Sequence, residues 1–315
     1  MTQPSTLAAR ADDGVVSPAA PAGQQAVTPT APAKPPGQWR EALRVFCRNP
    51  SAVFGFFLLL TIVCITVFGP MLMNVDPFEM VGPPMEAPGS EFGLLGTDYL
   101  GRDLLTGLVY GGRATLLVGV VAAFLSVFIG VVVGALAGYY GGWVDEVLMR
   151  ITEFFQVLPT LLFAMVLVTL FSPTLWTISI AIGVVSWTHT ARLARGEFLR
   201  LKQLDYILAE RVIGAGNGRI IWRVILPNAM APLIVSATLS IGTAILFEAG
   251  LSFLGLGDPN MMSWGLMIGN NRPYILVAWW AVTLPGVAIF LTVLAVSLIG
   301  DGLNDAFNPR LRERT

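Results

Sequence analysis

LLVGVVAAFLSVFIGVVVGALAG, residues 116–138, contains no charged side chain along its whole length. As an α-helix rising about 1.5 Å per residue it would extend about 35 Å, enough to cross the roughly 30 Å hydrocarbon core of a bilayer. The apolar run extends from Ala114 to about Gly138. Gly130, Gly134 and Gly138 recur at every fourth residue. That spacing puts small residues on one helix face and lets a second helix approach closely. The second helix can belong to this chain or to a partner subunit.

Five more apolar runs flank this one. They cover Ala52 to Leu72, about Phe155 to Phe171, Leu175 to about Ala194, about Ala231 to Leu254, and about Trp279 to Leu298. Hydrophobic residues make up 55% of the 315 residues and charged residues only 12%. Mean hydropathy is +0.71. Soluble domains carry about a quarter charged residues, so lipid is the expected solvent. The reading is an all-α membrane protein with six transmembrane helices.

Lys and Arg set the orientation, because cytoplasmic loops retain them. With the N-terminus inside, sixteen of these residues lie on the cytoplasmic side. Arg102, Arg113 and Arg272 are left outside. Both termini are therefore expected in the cytoplasm. Residues 1–37 hold seven Pro and nine Ala with no apolar run, and read as a disordered cytoplasmic tail rather than a signal peptide. Residues 38–113 form an N-terminal region with the first span and a long external loop. Residues 114–300 form a core of five spans, and residues 301–315 a cytoplasmic tail.

Several side chains invite a chemical reading. Glu248 falls inside the fifth span, where an ionisable group is costly and marks either a pathway or gating role or a group reaching water at the outer end. His189 reads as a buried, hydrogen-bonded side chain, with pH sensing as the sharper alternative. Arg192 and Arg195 read as positive-inside anchors. Asp301 and Asp305 are expected to cap or pair with the C-terminal arginines, and Trp279 and Trp280 to sit in an aromatic belt. Cys47 and Cys64 are too far apart along one helix for a disulfide and read as packing residues. With one His and no spaced Cys or His cluster, no metal site is expected.

The segment RLARGEFLRLKQLDYILAERVIGAGNGRIIWRVILPN, residues 192–228, is long for a membrane connection. Asp205 is suited to capping a short helix. Tyr206, Ile207, Ala209, Val212 and Ile213 give that helix an apolar surface. Gly214-Ala215-Gly216 ends it. A second short helix, about Arg219 to Ile225, is expected to stop at Leu226-Pro227. Such a pair of helices is suited equally to docking on a protein or lying on anionic lipid.

This loop, within residues 195–228, resembles the EAA loop of ABC importer permeases, whose pattern is E-A-A, three residues, G, nine residues, then I-x-L-P. The matching positions are Leu208-Ala209-Glu210, Gly214 and Val224-Ile225-Leu226-Pro227. Five further stretches are similar to the C-type permeases of dipeptide/oligopeptide importers. They are FCRNP at 46–50, GTDYLGRD at 96–103, GYYGGWVDE at 138–146, EAGLSFLGLG at 248–257, and GDGLND at 300–305 with NPRLR at 308–312. One position departs: the family's leading Glu is Leu208, and the acid stands at Glu210. Two residues turn a helix by about 200°. Either the loop docks in an altered way, or Glu210 faces back toward Arg219 or Arg223.

The resemblance implies the type I ABC importer permease fold in a bacterial inner membrane. Asp205, Tyr206, Leu208, Ala209, Glu210, Arg211 and Gly214 would then couple the chain to two ATPase subunits. It also implies a second, different permease chain and an external substrate-binding protein. No G-x-x-x-x-G-K-[ST] stretch occurs, so no nucleotide is expected on this chain. ATP and Mg would belong to the partner ATPases, and no nucleic acid is expected. The expected cargo is a dipeptide or oligopeptide, with nickel complexes, opines or other small solutes as alternatives. An ion-driven secondary transporter fits poorly, because few charges lie in the spans. A membrane enzyme fits poorly, because no nucleophile–base set converges.

Overall fold

Asn49 and Pro50 start the first long helix. In the computed structural model, which describes residues 38–307, helix α1 (Gln38–Arg48) leads into α2 (Pro50–Met73). The Asn49 side chain accepts from the amides of Ser51 and Ala52, while Pro50 fills the first turn, where its missing N–H costs nothing. The expected tail at residues 1–37, and Arg310, Arg312 and Arg314 with the pairing expected of them, lie outside the described residues. Asp305 instead accepts from the Asn49 side chain at 3.2 Å, which ties the start of α2 to the end of the last helix.

Helix α3 (Leu104–Tyr140) begins at Asp103, whose carboxylate caps Leu105 and Thr106, and runs ten residues beyond the expected start at Ala114. It is the central helix. Its most extensive packing is against α6 (Leu175–Leu201). Gly130, Gly134 and Gly138 lie on that seam: a Cβ at Gly134 would collide with the Ala191 carbonyl, and one at Gly138 with Phe198 and Arg195. The glycine spacing therefore serves close packing inside this chain.

The third apolar run is not one straight span. Helix α4 (Gly142–Val157) and helix α5 (Thr160–Phe171) meet at an 87° bend. Leu158 is extended because the following Pro159 ring disfavours helical geometry before it, and Pro159 has no N–H to continue the ladder. With 12 residues, α5 alone rises only about 18 Å, too short to cross the core. Phe155 to Val157, expected in the span, belong to the amphipathic α4.

Helix α7 (Asp205–Val212) follows α6. The chain then forms α8 (Asn217–Arg219), a π-helical turn at Ile220–Ile225, and α9 (Leu226–Leu251). The expected stop at Leu226-Pro227 does not occur. The Leu226 amide donates to the Ile221 carbonyl, five residues back, and the widened turn carries the helix through Pro227. Asn217 to Leu256 is thus one 40-residue helical stretch, ending in a second π turn at Ser252–Leu256. Helix α10 (Trp264–Asn271), capped by Ser263, and a short 3₁₀ turn (Arg272–Tyr274) lead to α11 (Trp280–Phe307), which outruns the expected end near Leu298.

Four described stretches are long and apolar enough to cross a membrane: Pro50–Met73, Leu104–Tyr140, Asn217–Leu256 and Trp280–Phe307. The α4–α5 pair makes five if the bent pair is one span. Helix α6 has the length, at 27 residues, but carries Thr188, His189, Thr190, Arg192 and Arg195. Large apolar side chains such as Phe57, Phe124 and Phe290 stand exposed on the outside of the helices. That distribution is expected where lipid is the solvent. Cys47 and Cys64 are exposed free thiols rather than packed ones.

The loop between α2 and α3 is ordered by polar side chains. Thr97 Oγ1 donates to the Pro83 carbonyl and accepts from the Glu86 amide, at 2.7 and 2.9 Å. Asp98 Oδ1 accepts from the amides of Leu100 and Arg102 at 2.8 and 2.9 Å. The Tyr99 amide donates to Asn271, and the Tyr99 ring stacks on Tyr274. Trp280 is buried and donates to the Thr97 carbonyl, so it braces this loop instead of sitting in an aromatic belt. Trp279 remains exposed.

Candidate functional site: the loop between α6 and α9

Helix α7 is pinned by one side chain. Ile207 is fully buried in a cluster with Ala135 and Tyr139 of α3, Phe198 and Leu201 of α6, and Ile220 of the π turn. Its neighbours Tyr206 and Leu208, 100° away on either side, are 42% and 47% exposed. Val212 and Ile213 are exposed at 86% and 76%. The helix therefore has a seated face and an open apolar face. Ile207 is part of the apolar surface expected of this helix; its role as anchor depends on where α3 and α6 end.

The expected side-chain cap at Asp205 is absent. Asp205 is the first helical residue, and the capping position is Leu204. Its charge still lies in the first turn, where the helix dipole favours an acid. At the other end Gly214 has φ +84°, a conformation that only glycine adopts readily. The Gly214 amide donates to the Arg211 carbonyl, and the Ala215 amide to the Glu210 carbonyl, both at 3.0 Å. These two bonds form a Schellman motif, which satisfies carbonyls at the helix end.

Arg211 lies over the Tyr139 ring at 5.5 Å, and the Tyr139 hydroxyl bonds Asn217 at 2.8 Å. Lys202 donates to the Gly138 carbonyl at 2.7 Å. Ala209 is exposed, whereas Glu210 is half-buried and turned away from Leu208. Glu210 does not reach Arg219 or Arg223: the ion pairs among the described residues are Arg150–Glu153, Arg195–Asp145 and Arg200–Glu197. Its Oε2 is buried without a hydrogen-bond partner. The Arg195–Asp145 pair is bidentate, at 2.5 and 2.7 Å, and fixes α4 to α6 above the loop.

The amino-acid sequence that builds this short helix and the bundle around it has matches among known proteins. Residues 130–313 match the family model "Binding-protein-dependent transport system inner membrane component". The chain belongs to this family. Residues 37–88 of the permease match a second model, "N-terminal TM domain of oligopeptide transport permease C". The permease is 40% identical over 285 residues to the di/tripeptide transport system permease protein of Pseudomonas aeruginosa, covering 88% of this chain and 94% of that one. It is 42% identical over 281 residues to the dipeptide transport system permease protein of Escherichia coli, covering 87% and 94%. The dipeptide transport system permease protein of Bacillus subtilis is 41% identical over 275 residues, covering 87% and 86%. These relatives are named as transport permeases, not as enzymes.

Glu248 of the permease does not reach water. It is 2% exposed, near the C-terminal end of α9. Its Oε1 accepts from Ser252 and Ser263, both at 2.8 Å. Ser263 caps α10, and Thr115 of α3 accepts from the Trp264 amide at 3.2 Å. Glu248 thus links α9 to the start of α10. His189 is exposed and lines an open cavity, contrary to the buried placement expected of it.

Proposed function

We propose that this chain is the permease subunit of an ATP-driven peptide importer, with six spans in the type I arrangement. The spans are α2, α3, the bent α4–α5 pair, α6, the α8–α9 stretch and α11. The 27 residues of α6 rise about 40 Å, longer than the hydrocarbon core. Its polar residues then face the interior of the assembly. Both termini are cytoplasmic by the sixteen-to-three distribution of Lys and Arg.

The observation that carries the reading is α7, an apolar face held out from the bundle by the single anchor Ile207. It is suited to a cleft on a partner ATPase, and closure of two such ATPases on ATP would move it. Asp205, Tyr206, Leu208, Ala209 and Arg211 are the contact residues, Gly214 sets the exit angle, and Glu210 acts from the seated side. A second permease chain and an external binding protein complete the assembly. Glu248 holds the outer gate by bracing α10. The cargo is taken as a short peptide from the relatives' names.

The test is uptake of trialanine by proteoliposomes holding this chain, its second permease and both ATPases, with the binding protein added. ATP-dependent accumulation is expected. Accumulation driven by an ion gradient without ATP would contradict the reading.

A further inference from the structure

We propose that α5, α6 and α9 form a polar track for the peptide, in which membrane-embedded hydroxyls take its backbone amides and Arg192 takes its terminal carboxylate. The inference rests on the importer reading above and deepens it.

A cavity of about 390 Å³ lies between these helices. Ser236, Ser240 and Thr243 line it from α9, and their spacing of four and three places them on one helix face. Thr160 of α5 and Ser186 and Thr188 of α6 line it from the other side. Ser186 lies about 17 Å along α6 from Leu175, near mid-membrane depth. A hydroxyl facing hydrocarbon normally bonds its own helix. Ser240 does so, donating to the Ser236 carbonyl, and Thr243 donates to the Leu239 and Ser240 carbonyls. Their oxygens keep lone pairs for incoming N–H groups. Ser186 Oγ and Ser236 Oγ have no partner, and Ser236 is 95% buried, being 5% exposed. Two unsatisfied hydroxyls at this depth are costly unless a polar ligand passes them.

A second cavity, of about 710 Å³, lies toward the cytoplasm between α4 and α6. His189 lines both cavities, one on each side of it along the track. In the lower cavity Arg195 is committed to Asp145, and Glu153 to Arg150. Among the described residues Arg192 bonds only the neutral Gln156 amide, at 3.1 Å. Its remaining N–H donors suit a carboxylate, which a guanidinium binds in a fork. Hydroxyls first and a guanidinium last match the chemistry of a short peptide: neutral amides throughout and one carboxylate at an end.

The full importer, with Cys47 and Cys64 of this chain replaced by Ser, provides the test. Single variants His189→Cys, Ser240→Cys, Thr243→Cys and, on the outer surface of α2, Phe57→Cys are treated with a charged methanethiosulfonate reagent. Modification is expected to cut trialanine uptake about tenfold at the three track positions, and less than about twofold at Phe57, which lipid shields. Unchanged uptake after modification of the track positions, or equal loss at Phe57, would overturn the track. Arg192→Gln should lower uptake about tenfold, while Arg192→Lys, which keeps the charge and loses the fork, should lower it by less than that. Equal loss in both variants overturns the carboxylate assignment. If the untreated parent complex takes up no trialanine with ATP, the importer reading itself fails, an outcome distinct from an inert track.

Discussion

Ile207 decides whether α7 is held. It is fully buried, while the residues beside it are exposed. Ile207→Ala should cost about 2–4 kcal/mol locally by deleting methyl groups from a packed site. Expected is loss of peptide uptake with the chain still in the membrane, read by uptake and by membrane fractionation. In the loop between α2 and α3 Asp98 is buried, and burial pushes its carboxyl above the ordinary carboxylate range despite the amides of Arg102 and Leu100 and the Arg102 charge. A carboxyl raised on folding stabilises the fold while protonated, and that contribution is lost as pH rises through its folded value. At neutral pH its charge therefore opposes folding. Asp98→Asn keeps an oxygen for both amides and should hold or raise the melting temperature at pH 7. Asp98→Ala leaves those amides without their acceptor and should destabilise by about 1–3 kcal/mol per group. Thermal unfolding in detergent, followed by tryptophan fluorescence, checks both.

Two elements depend on a glycine at a fixed place. On the α3–α6 seam, a side chain at Gly134 meets the Ala191 backbone rather than a movable side-chain end. Gly134→Leu should therefore prevent the helices from closing and abolish the monodisperse peak in size-exclusion chromatography. At the end of α7, Gly214 needs φ +84°. Proline is locked near −65°, so Gly214→Pro should abolish coupled uptake while the protein remains membrane-inserted. Normal substrate-stimulated ATPase activity in that variant would rule the role out. The spacing of the glycines and of the coupling loop was legible in the sequence because helix periodicity and turn chemistry are local. The bend at Pro159 was not, because hydropathy measures the length of an apolar run and carries no direction. The passage through Pro227 was missed for a related reason: proline reads as a stop, yet the π turn at Ile220–Ile225 widens the helix enough to accommodate it.

At the scale of the whole molecule, the apolar runs mark the long helices in order along the chain, while groups whose surroundings come from distant segments are not legible locally. Trp280 meets Thr97 across 183 positions, and no local pattern marks that contact. His189 faces a cavity because α6 turns its polar stripe that way, although a lone His in an apolar run reads as buried. In the proposed assembly, α7 is the element that would join this bundle to the partner ATPases. The most direct measurement is co-purification of the ATPase subunits in mild detergent with wild-type chain and with Val212→Asp/Ile213→Asp, two exposed positions outside the folded core. The expected result is full recovery with the wild type and a loss of about tenfold or more with the double variant, whose size-exclusion profile stays that of a folded protein. Recovery of the ATPases with the double variant at wild-type levels would contradict the claim that this helix is the docking element.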